Sequence, residues 1–290
     1  MSMSRRPVRL IEAFRTLEGD GFEVRRAVPT ADAEAVGPFI FLDHFGPIDL
    51  GPGEALGASV HPHAGIETLS LLLEGRMRHM DSIGNTSDMS PGDVQWMRAG
   101  RGIVHDENPD EEFKAHGGRL HGVQLWLNMP KAAKLDPPAY RHVARDSFPV
   151  VTGSNARARL VMGDASGARG PIETGGAPVL LHASLDPGGA VEFDLPEAAE
   201  LGLYVMTGSV SAGDVTVEAG RIALLSDGDV LRLESAKGAE ALVLGGDPLD
   251  APIVRHGPFV ANSVDDMRRT IERYRGGEMG TIATGNQGRA

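Results

Sequence analysis

Two stretches of the sequence decide the fold and hold its most informative residues: HPHAGIETLSLLLEG at 61–75 and MSPGDVQWMRAGRGIVHDE at 89–107. Each contains a short apolar run next to a glycine turn, at Gly75 in the first and at Gly92 in the second. Neither run has the apolar spacing of three and four residues that marks a helix. This part of the chain is therefore predicted to be antiparallel β-structure.

The same pattern continues on both sides, in PFIFLDHF at 38–45 and HGVQLWLNM at 121–129. In the second segment Val123, Leu125 and Leu127 alternate with Gln124, Trp126 and Asn128. Such alternation is typical of a strand with one face in a core. Strands with turns every 8 to 12 residues predict a sandwich or a barrel.

A second set of strands follows a proline-rich connector, KAAKLDPPAYRHVARD at 131–146. Two adjacent prolines are incompatible with a central strand, so we predict a domain boundary near Pro137. Downstream, runs such as LGLYVMTG at 201–208 repeat the order of strands and glycine turns seen in the first half. The expected fold is all-β, with two β-barrels in tandem at 1–136 and 137–290.

One amphipathic helix is predicted, over residues 263–275. Ser263 and Asp266 form a start that resembles a capping box, and Gly276-Gly277 ends the helix. Its apolar residues recur at spacings of three and four: Val264, Met267, Ile271 and Tyr274. We expect this helix to cover a barrel edge and the tail at 277–290 to bury almost nothing.

Composition excludes several classes of function. The 28 basic and 40 acidic residues give a formal net charge of −12, which repels nucleic-acid backbones. Without cysteine the chain has no thiolate zinc site, Fe–S cluster or cysteine nucleophile, so any metal must bind to histidine and carboxylate. No apolar run is long enough for a membrane helix and no secretory leader is recognisable, so we predict no membrane partner and a cytoplasmic protein.

The histidines of the two opening segments suggest a metal site. His61 and His63 are two residues apart, so on a strand both imidazoles face the same side. His105 and Glu107 repeat this spacing after a glycine-rich bend. Three imidazoles and one carboxylate would leave one or two positions open on a divalent ion, which is a catalytic arrangement. Glu67 shares the parity of His61 and His63 and is the rival carboxylate.

These segments resemble the pirins, a family of bicupin proteins in the cupin superfamily. The resemblance rests on five segments: FLDHFGP (41–47), HPHAGIETLSLLLEG (61–75), MSPGDVQWMRAGRGIVHDE (89–107), HGVQLWLNMP (121–130) and RHGPFVANS (255–263). It implies two cupin barrels, with one metal in the first barrel bound by His61, His63, His105 and Glu107. The residues after His63 and His105 differ from the common form of the motif, but neither is an expected ligand.

The resemblance also implies a cofactor and an activity. Pirins are associated with iron, although such a site also accepts Mn, Co, Ni, Cu or Zn. Several act as quercetin 2,3-dioxygenases, which cleave a flavonol with O2, whereas others are regulators that bind a protein partner. In the first hypothesis Glu107 is catalytic because it takes the proton of the substrate hydroxyl. In the alternative, the metal's oxidation state alters a docking surface and no turnover occurs.

The remaining histidines and both tryptophans are expected to be structural. His44 and His121 border the first barrel and have a possible role in substrate contact, whereas Trp96 and Trp126 are expected to fill the core. The other solitary histidines are His79, His116, His142, His182 and His256. The second barrel has Glu192 and Asp194 where a cupin would have its first histidine pair, so we predict that it binds no metal.

Overall fold

The computed structural model describes residues 3–195 and 200–282. These residues form mainly β-strands and two short α-helices. The strands are arranged as two barrels in tandem. The predicted all-β fold with a short C-terminal helix is therefore confirmed. No helix in the described ranges is long and apolar enough to cross a membrane.

The first barrel is built from a seven-stranded and a four-stranded sheet. In sheet order the seven strands are β12 (Ala139–Val143), β9 (Val94–Arg98), β6 (Ile66–Glu74), β11 (Gly118–Asn128), β4 (Phe39–Leu50), β3 (Phe22–Val28) and β2 (Phe14–Glu18). The four are β5 (Ala58–His63), β10 (Ile103–Pro109), β7 (Met77–Asp81) and β8 (Thr86–Met89). All pairs are antiparallel, as the turn spacing predicts.

The second barrel is a single eight-stranded sheet. Its strands are β1 (Pro7–Glu12), β13 (Val150–Met162), β16 (Val179–Asp194), β17 (Glu200–Ala212), β18 (Val215–Glu218), β19 (Arg221–Leu225), β20 (Val230–Ser235) and β21 (Ala239–Gly246). Two small hairpins complete the strands, β14 (Asp164–Ala165) with β15 (Ala168–Arg169) and β22 (Val254–His256) with β23 (Phe259–Ala261).

The two barrels pack against each other through one apolar core. On β11 the alternating residues Val123, Leu125 and Leu127 are fully buried, as predicted. They belong to the same apolar cluster as Tyr204 and Leu242 of the second barrel. Because neighbours on a strand face opposite sides, the residues between them, Gln124 and Trp126, line a cavity of the first barrel.

The domain boundary near Pro137 stays a prediction. Three segments pair with the barrel on the other side of it. Strand β1 pairs with β19 of the second barrel, although it begins the chain. Strand β12 follows the prolines but pairs with β9 of the first barrel. The β22–β23 hairpin returns to the first barrel, where Phe259 bridges to Ala64.

The C-terminal helix α2 (Val264–Arg275) begins as the sequence predicts, with the Ser263 hydroxyl accepting from the backbone N–H of Asp266. Its buried residue Met267 packs with Phe259 and Met279 against the first barrel. The expectation that the tail buries almost nothing is wrong for Met279, which is 4% exposed. Residues 283–290 of that tail lie outside the described residues.

A shorter helix, α1 (Glu111–His116), was not predicted, and neither were two 3₁₀ turns, Lys131–Ala133 and Arg145–Ser147. At the start of α1 the Asp110 carboxylate accepts from the backbone N–H of Phe113. Phe113 is the buried residue of the helix. One apolar anchor in six residues gives too little periodicity for recognition from sequence.

Candidate metal centre and its cavity

Two neighbouring strands carry the predicted ligands. His61 and His63 lie on β5, His105 and Glu107 lie on β10, and the strands pair so that His105 is opposite His61. The register then shifts between His105 and Glu107, which leaves Glu107 opposite Ala58. Such an irregularity re-aims the side chains that follow it.

The three predicted histidines converge. Their nitrogens lie within 4.8 Å of one another, and the ring centroids of His61 and His105 are 4.3 Å apart. Glu107 reaches this group through His105, because the second possible ligand group consists of His79, His105 and Glu107. Asp106 belongs to neither group.

Hydrogen bonds fix which nitrogen of each ring is available. The Nδ1 of His61 is 2.7 Å from the Ser59 carbonyl, and the Nδ1 of His63 is 3.1 Å from the Pro258 carbonyl. A carbonyl only accepts, so each Nδ1 carries the proton, and in the neutral ring each Nε2 then carries a lone pair. These Nε2 atoms face each other at 3.1 Å. Two facing lone pairs are unfavourable unless a cation lies beside them, so the residues fit a metal ion.

His105 adds a third donor atom. Its ring is 0% exposed, and its Nε2 has no hydrogen-bond partner among the described residues. Burial lowers the pKa of His105 well below its ordinary value, and burial with the nearby His61 ring lowers the pKa of His63 to about 3. Both rings are therefore neutral at pH 7, which is the form that binds metals.

Two polar neighbours hold the Glu107 carboxylate. Its Oε2 accepts from the Gln124 amide at 3.1 Å, and its Oε1 lies 2.9 Å from the Ser70 hydroxyl. That hydroxyl is also 2.7 Å from the Gln124 carbonyl oxygen, so its single proton serves one acceptor at a time. These two neighbours therefore orient Glu107, which has no cationic partner among the described residues.

His79 was expected to be a solitary structural histidine, but it lies beside His105. Their Nδ1 atoms are 3.5 Å apart, while the Nε2 of His79 lies 3.1 Å from the Asp81 carboxylate. The ring also stacks on Tyr140 with centroids 4.3 Å apart. His79 and Asp81 repeat the spacing of two residues seen in the other pairs, and this was the signal that sequence reasoning missed.

Glu67, the rival carboxylate, lies away from the three histidines. Strand β5 ends at His63 and the chain turns at Gly65, so the parity that links Glu67 to His63 does not persist. Gly65 has φ +75° and approaches the second half closely, because a Cβ there would lie 1.8 Å from the Val260 carbonyl oxygen. Glu67 accepts from the Trp96 indole at 2.9 Å and from the Thr174 hydroxyl.

A cavity of about 640 Å³ opens beside His61 and Glu107. Its walls are largely apolar and include Phe22, Phe41, Phe45, Leu56, Leu72 and Trp126. Trp126 was expected to fill the core, but it lines this cavity, stacked on Phe41 with centroids 4.2 Å apart and at 5.0 Å from His63. The Arg26 guanidinium lies 4.3 Å from the centre of the Phe41 ring and pairs with Asp43.

His44 and His121 do not line this cavity. They lie between the barrels, where the His44 Nδ1 is 3.0 Å from the Tyr204 hydroxyl and its Nε2 is 2.9 Å from the His121 Nε2. On β4 the residues Phe41, Asp43 and Phe45 face the cavity, so His44 faces the second barrel. A role in substrate contact is therefore not supported by their positions.

Two tandem barrels, one of them with a cluster of imidazoles at a cavity, define a bicupin. The chain belongs to the pirin family: the pirin profile matches residues 21–127 and the profile of the pirin C-terminal cupin domain matches residues 180–280. The resemblance seen in the sequence is thereby confirmed.

Similar proteins cover nearly the whole chain. A candidate quercetin 2,3-dioxygenase of Pseudomonas aeruginosa is 37% identical over 271 residues, which is 91% of this chain and 94% of that protein. Human pirin is 33% identical over 270 residues, 91% of this chain and 90% of its own. The crystal structure of a quercetin 2,3-dioxygenase from Acinetobacter baumannii superposes with a TM-score of 0.90 at 30% identity, covering 97% of this chain and 100% of that one.

Proposed function

We propose that this pirin is a metal-dependent dioxygenase that cleaves a flavonol-like aromatic substrate, with quercetin as the first compound to test. The observation that carries the proposal is the convergence of three imidazoles beside a carboxylate, at the edge of a cavity with aromatic walls. His61, His63, His105 and Glu107 would hold one divalent transition metal. Iron is our first choice, with Mn, Co, Ni, Cu or Zn as alternatives, because such ligands discriminate weakly among these ions.

When bound, the metal would act as a Lewis acid and redox centre for the reaction of the substrate with O2. The chain itself supplies the substrate pocket. The parallel rings of Phe41 and Trp126 offer one flat wall to an aromatic substrate. The volume of about 640 Å³ lies in the usual range for small-molecule sites.

Glu107 is the proposed proton acceptor. It is the carboxylate that lies both next to His105 and on the cavity wall. Ser70 and Gln124 orient its two oxygens, so the acidic hydroxyl of an enol could donate to it without a large rearrangement. Removing that proton forms the enolate, which is more reactive towards O2 than the enol.

The names of the relatives in Pseudomonas and Acinetobacter support the substrate class. The alternative, a metal- or redox-responsive regulator that binds a protein partner without turnover, needs the same four ligands. No contact in the described residues favours it over catalysis. A cytoplasmic location remains part of the proposal.

The decisive experiment measures metal content and quercetin loss on one sample, together with O2 consumption. We expect the metal-loaded protein to consume quercetin and O2 in step, and His63→Ala protein to behave like buffer with the same free metal. If fully loaded wild-type protein removed no more quercetin than free metal, we would abandon the dioxygenase in favour of the regulator.

A further inference from the structure

A second cavity, also of about 640 Å³, lies between the two barrels. The first barrel contributes Glu74 and His121 to it, and the second contributes Arg157, Arg159 and Glu240. It shares no lining residue with the cavity beside the candidate metal centre. The proposed dioxygenase chemistry therefore does not account for it.

Two arginines of one strand face this cavity. Arg157 and Arg159 lie two residues apart on β13, opposite Ser184 and His182 of β16. Residues at this spacing project from the same face of a strand, about 7 Å apart along the chain. Two guanidinium groups at that separation suit a ligand that has two separate anionic oxygens, such as a dicarboxylate or an organic phosphate.

Neither arginine is neutralised by a carboxylate within 4 Å among the described residues. Arg159 donates to the Gly92 carbonyl at 2.6 Å and to the His182 Nδ1 at 2.8 Å, and both acceptors are uncharged. The carboxylates of the cavity have other partners. Glu240 accepts from His182 and Ser184, Glu74 pairs with Arg119, and Asp146 lies near Arg145.

His121 adds a buried donor to the cavity. The buried Tyr204 hydroxyl has the His44 Nδ1 as its one acceptor among the described residues, so it donates to that atom, and the His44 Nε2–H then donates to the His121 Nε2. This leaves the proton of His121 on Nδ1, the atom nearest the Glu74 carboxylate at 3.8 Å. The His121 side chain is 4% exposed, and the hydrogen bonds that link Tyr204, His44 and His121 fix the orientation of its ring.

We propose that the cavity between the barrels binds a small organic dianion, whose charged groups contact Arg157 and Arg159 and accept a hydrogen bond from His121. The volume exceeds what one inorganic ion fills and matches a small metabolite. The overall net charge of −12 gives no general attraction for anions, so binding must come from local positive charge, which in this cavity is Arg157 and Arg159 together with Arg145.

The test uses two probes, malonate as a dicarboxylate and inorganic phosphate as the charged group of an organic phosphate, titrated calorimetrically into the full-length protein at constant ionic strength. We expect one of them to bind at one site per chain, with a Kd of about 1 mM or tighter. Arg157→Gln should weaken binding at least tenfold. Because Arg157 is exposed, this variant should fold normally. Arg232→Gln, which removes an exposed arginine paired with Glu234, is the matched control and should bind like wild type.

Malonate can also chelate a metal, so the titration is repeated with His63→Ala protein. Retained binding in that variant, lost on adding Arg157→Gln, supports the site between the barrels and is independent of the dioxygenase proposal. Failure of both probes to bind saturably would overturn the inference. Binding that disappears in His63→Ala but survives Arg157→Gln would overturn it as well, because the anion would then be at the candidate metal centre.

Discussion

The interiors of the two barrels differ although the barrels share a fold. Inside the second barrel, apolar side chains fill the space; Leu181, Phe193, Leu203, Leu231 and Val243 are all completely buried in one cluster. Inside the first, the corresponding space holds three imidazoles, a carboxylate and an open cavity. The interior of the second barrel is a packed apolar core, whereas the interior of the first is less tightly packed and contains the candidate site.

Among the described residues, no possible group of metal ligands lies in the second barrel. Glu192 and Asp194, which stand where the first histidine pair of a cupin would be, are exposed on β16, while Phe193 between them is buried. A shift of one residue in strand register exchanges the two faces. That the second barrel binds no metal stays a prediction, which anomalous scattering from a metal-loaded crystal would test.

The largest effect is expected from removing a ligand of the first barrel. His63→Ala should lose nearly all bound metal, because the Nε2 of His63 is one of three converging donor atoms. The fold should persist, since the core between the barrels does not depend on this ring. Elemental analysis and circular dichroism check both points, with the exposed His116→Ala as control. Full metal content in His63→Ala would refute the ligand assignment.

The next effect separates proton transfer from metal binding. Glu107→Gln should lower quercetin turnover by roughly 10²–10⁴-fold, since a general base typically contributes that much, and should lower metal content far less. Glu67→Gln is the matched control, because Glu67 is a buried carboxylate of the same barrel that contacts Trp96 and Thr174 instead. Equal losses of turnover in the two variants would count against a catalytic role for Glu107.

The contrast in packing has its own test. Phe193→Ala should lower the free energy of unfolding by about 3 kcal/mol, because its fully buried ring leaves a void in the second barrel. Phe45→Ala should cost clearly less, since Phe45 already borders the open cavity of the first barrel. Urea denaturation of the metal-free proteins measures both. Similar losses would mean that the cavity wall is packed as tightly as the core.

The sequence predicted the fold well because local signals agree with the tertiary structure. Glycine turns divide the chain into strands, and Ser263 begins the C-terminal helix as expected. The alternation of Val123, Leu125 and Leu127 correctly indicated a buried face. It could not indicate that this face packs on the other barrel, because one strand's pattern does not identify what covers it.

The candidate site was only partly predictable for a similar reason. His61, His63 and His105 converge as their spacing suggested. His79 has the same spacing to Asp81, but only the pairing of β7 with β10 shows that it lies opposite Glu107. The contact of His44 with Tyr204 joins residues 160 positions apart. Nothing near either residue in the sequence signals such a contact.

That contact between the barrels predicts a further effect, a change in the pH dependence of stability. Burial lowers the pKa of His44 to about 3, from an ordinary value of 6.5. As the pH falls below 6.5, the unfolded chain binds a proton at this histidine while the folded protein does not, so stability decreases towards acid. One such histidine contributes about 1.4 kcal/mol per pH unit between the two pKa values.

His44→Gln should remove this contribution, because glutamine can hydrogen-bond to Tyr204 and His121 but does not titrate. The free energy of unfolding of metal-free protein, measured from pH 7 to pH 4, should therefore fall less steeply with acid in the variant than in wild type. His116→Gln, at an exposed position on α1, should retain the wild-type slope. If His44→Gln also retained the wild-type slope, the buried hydrogen bonds from Tyr204 through His44 to His121 would not contribute to the loss of stability in acid.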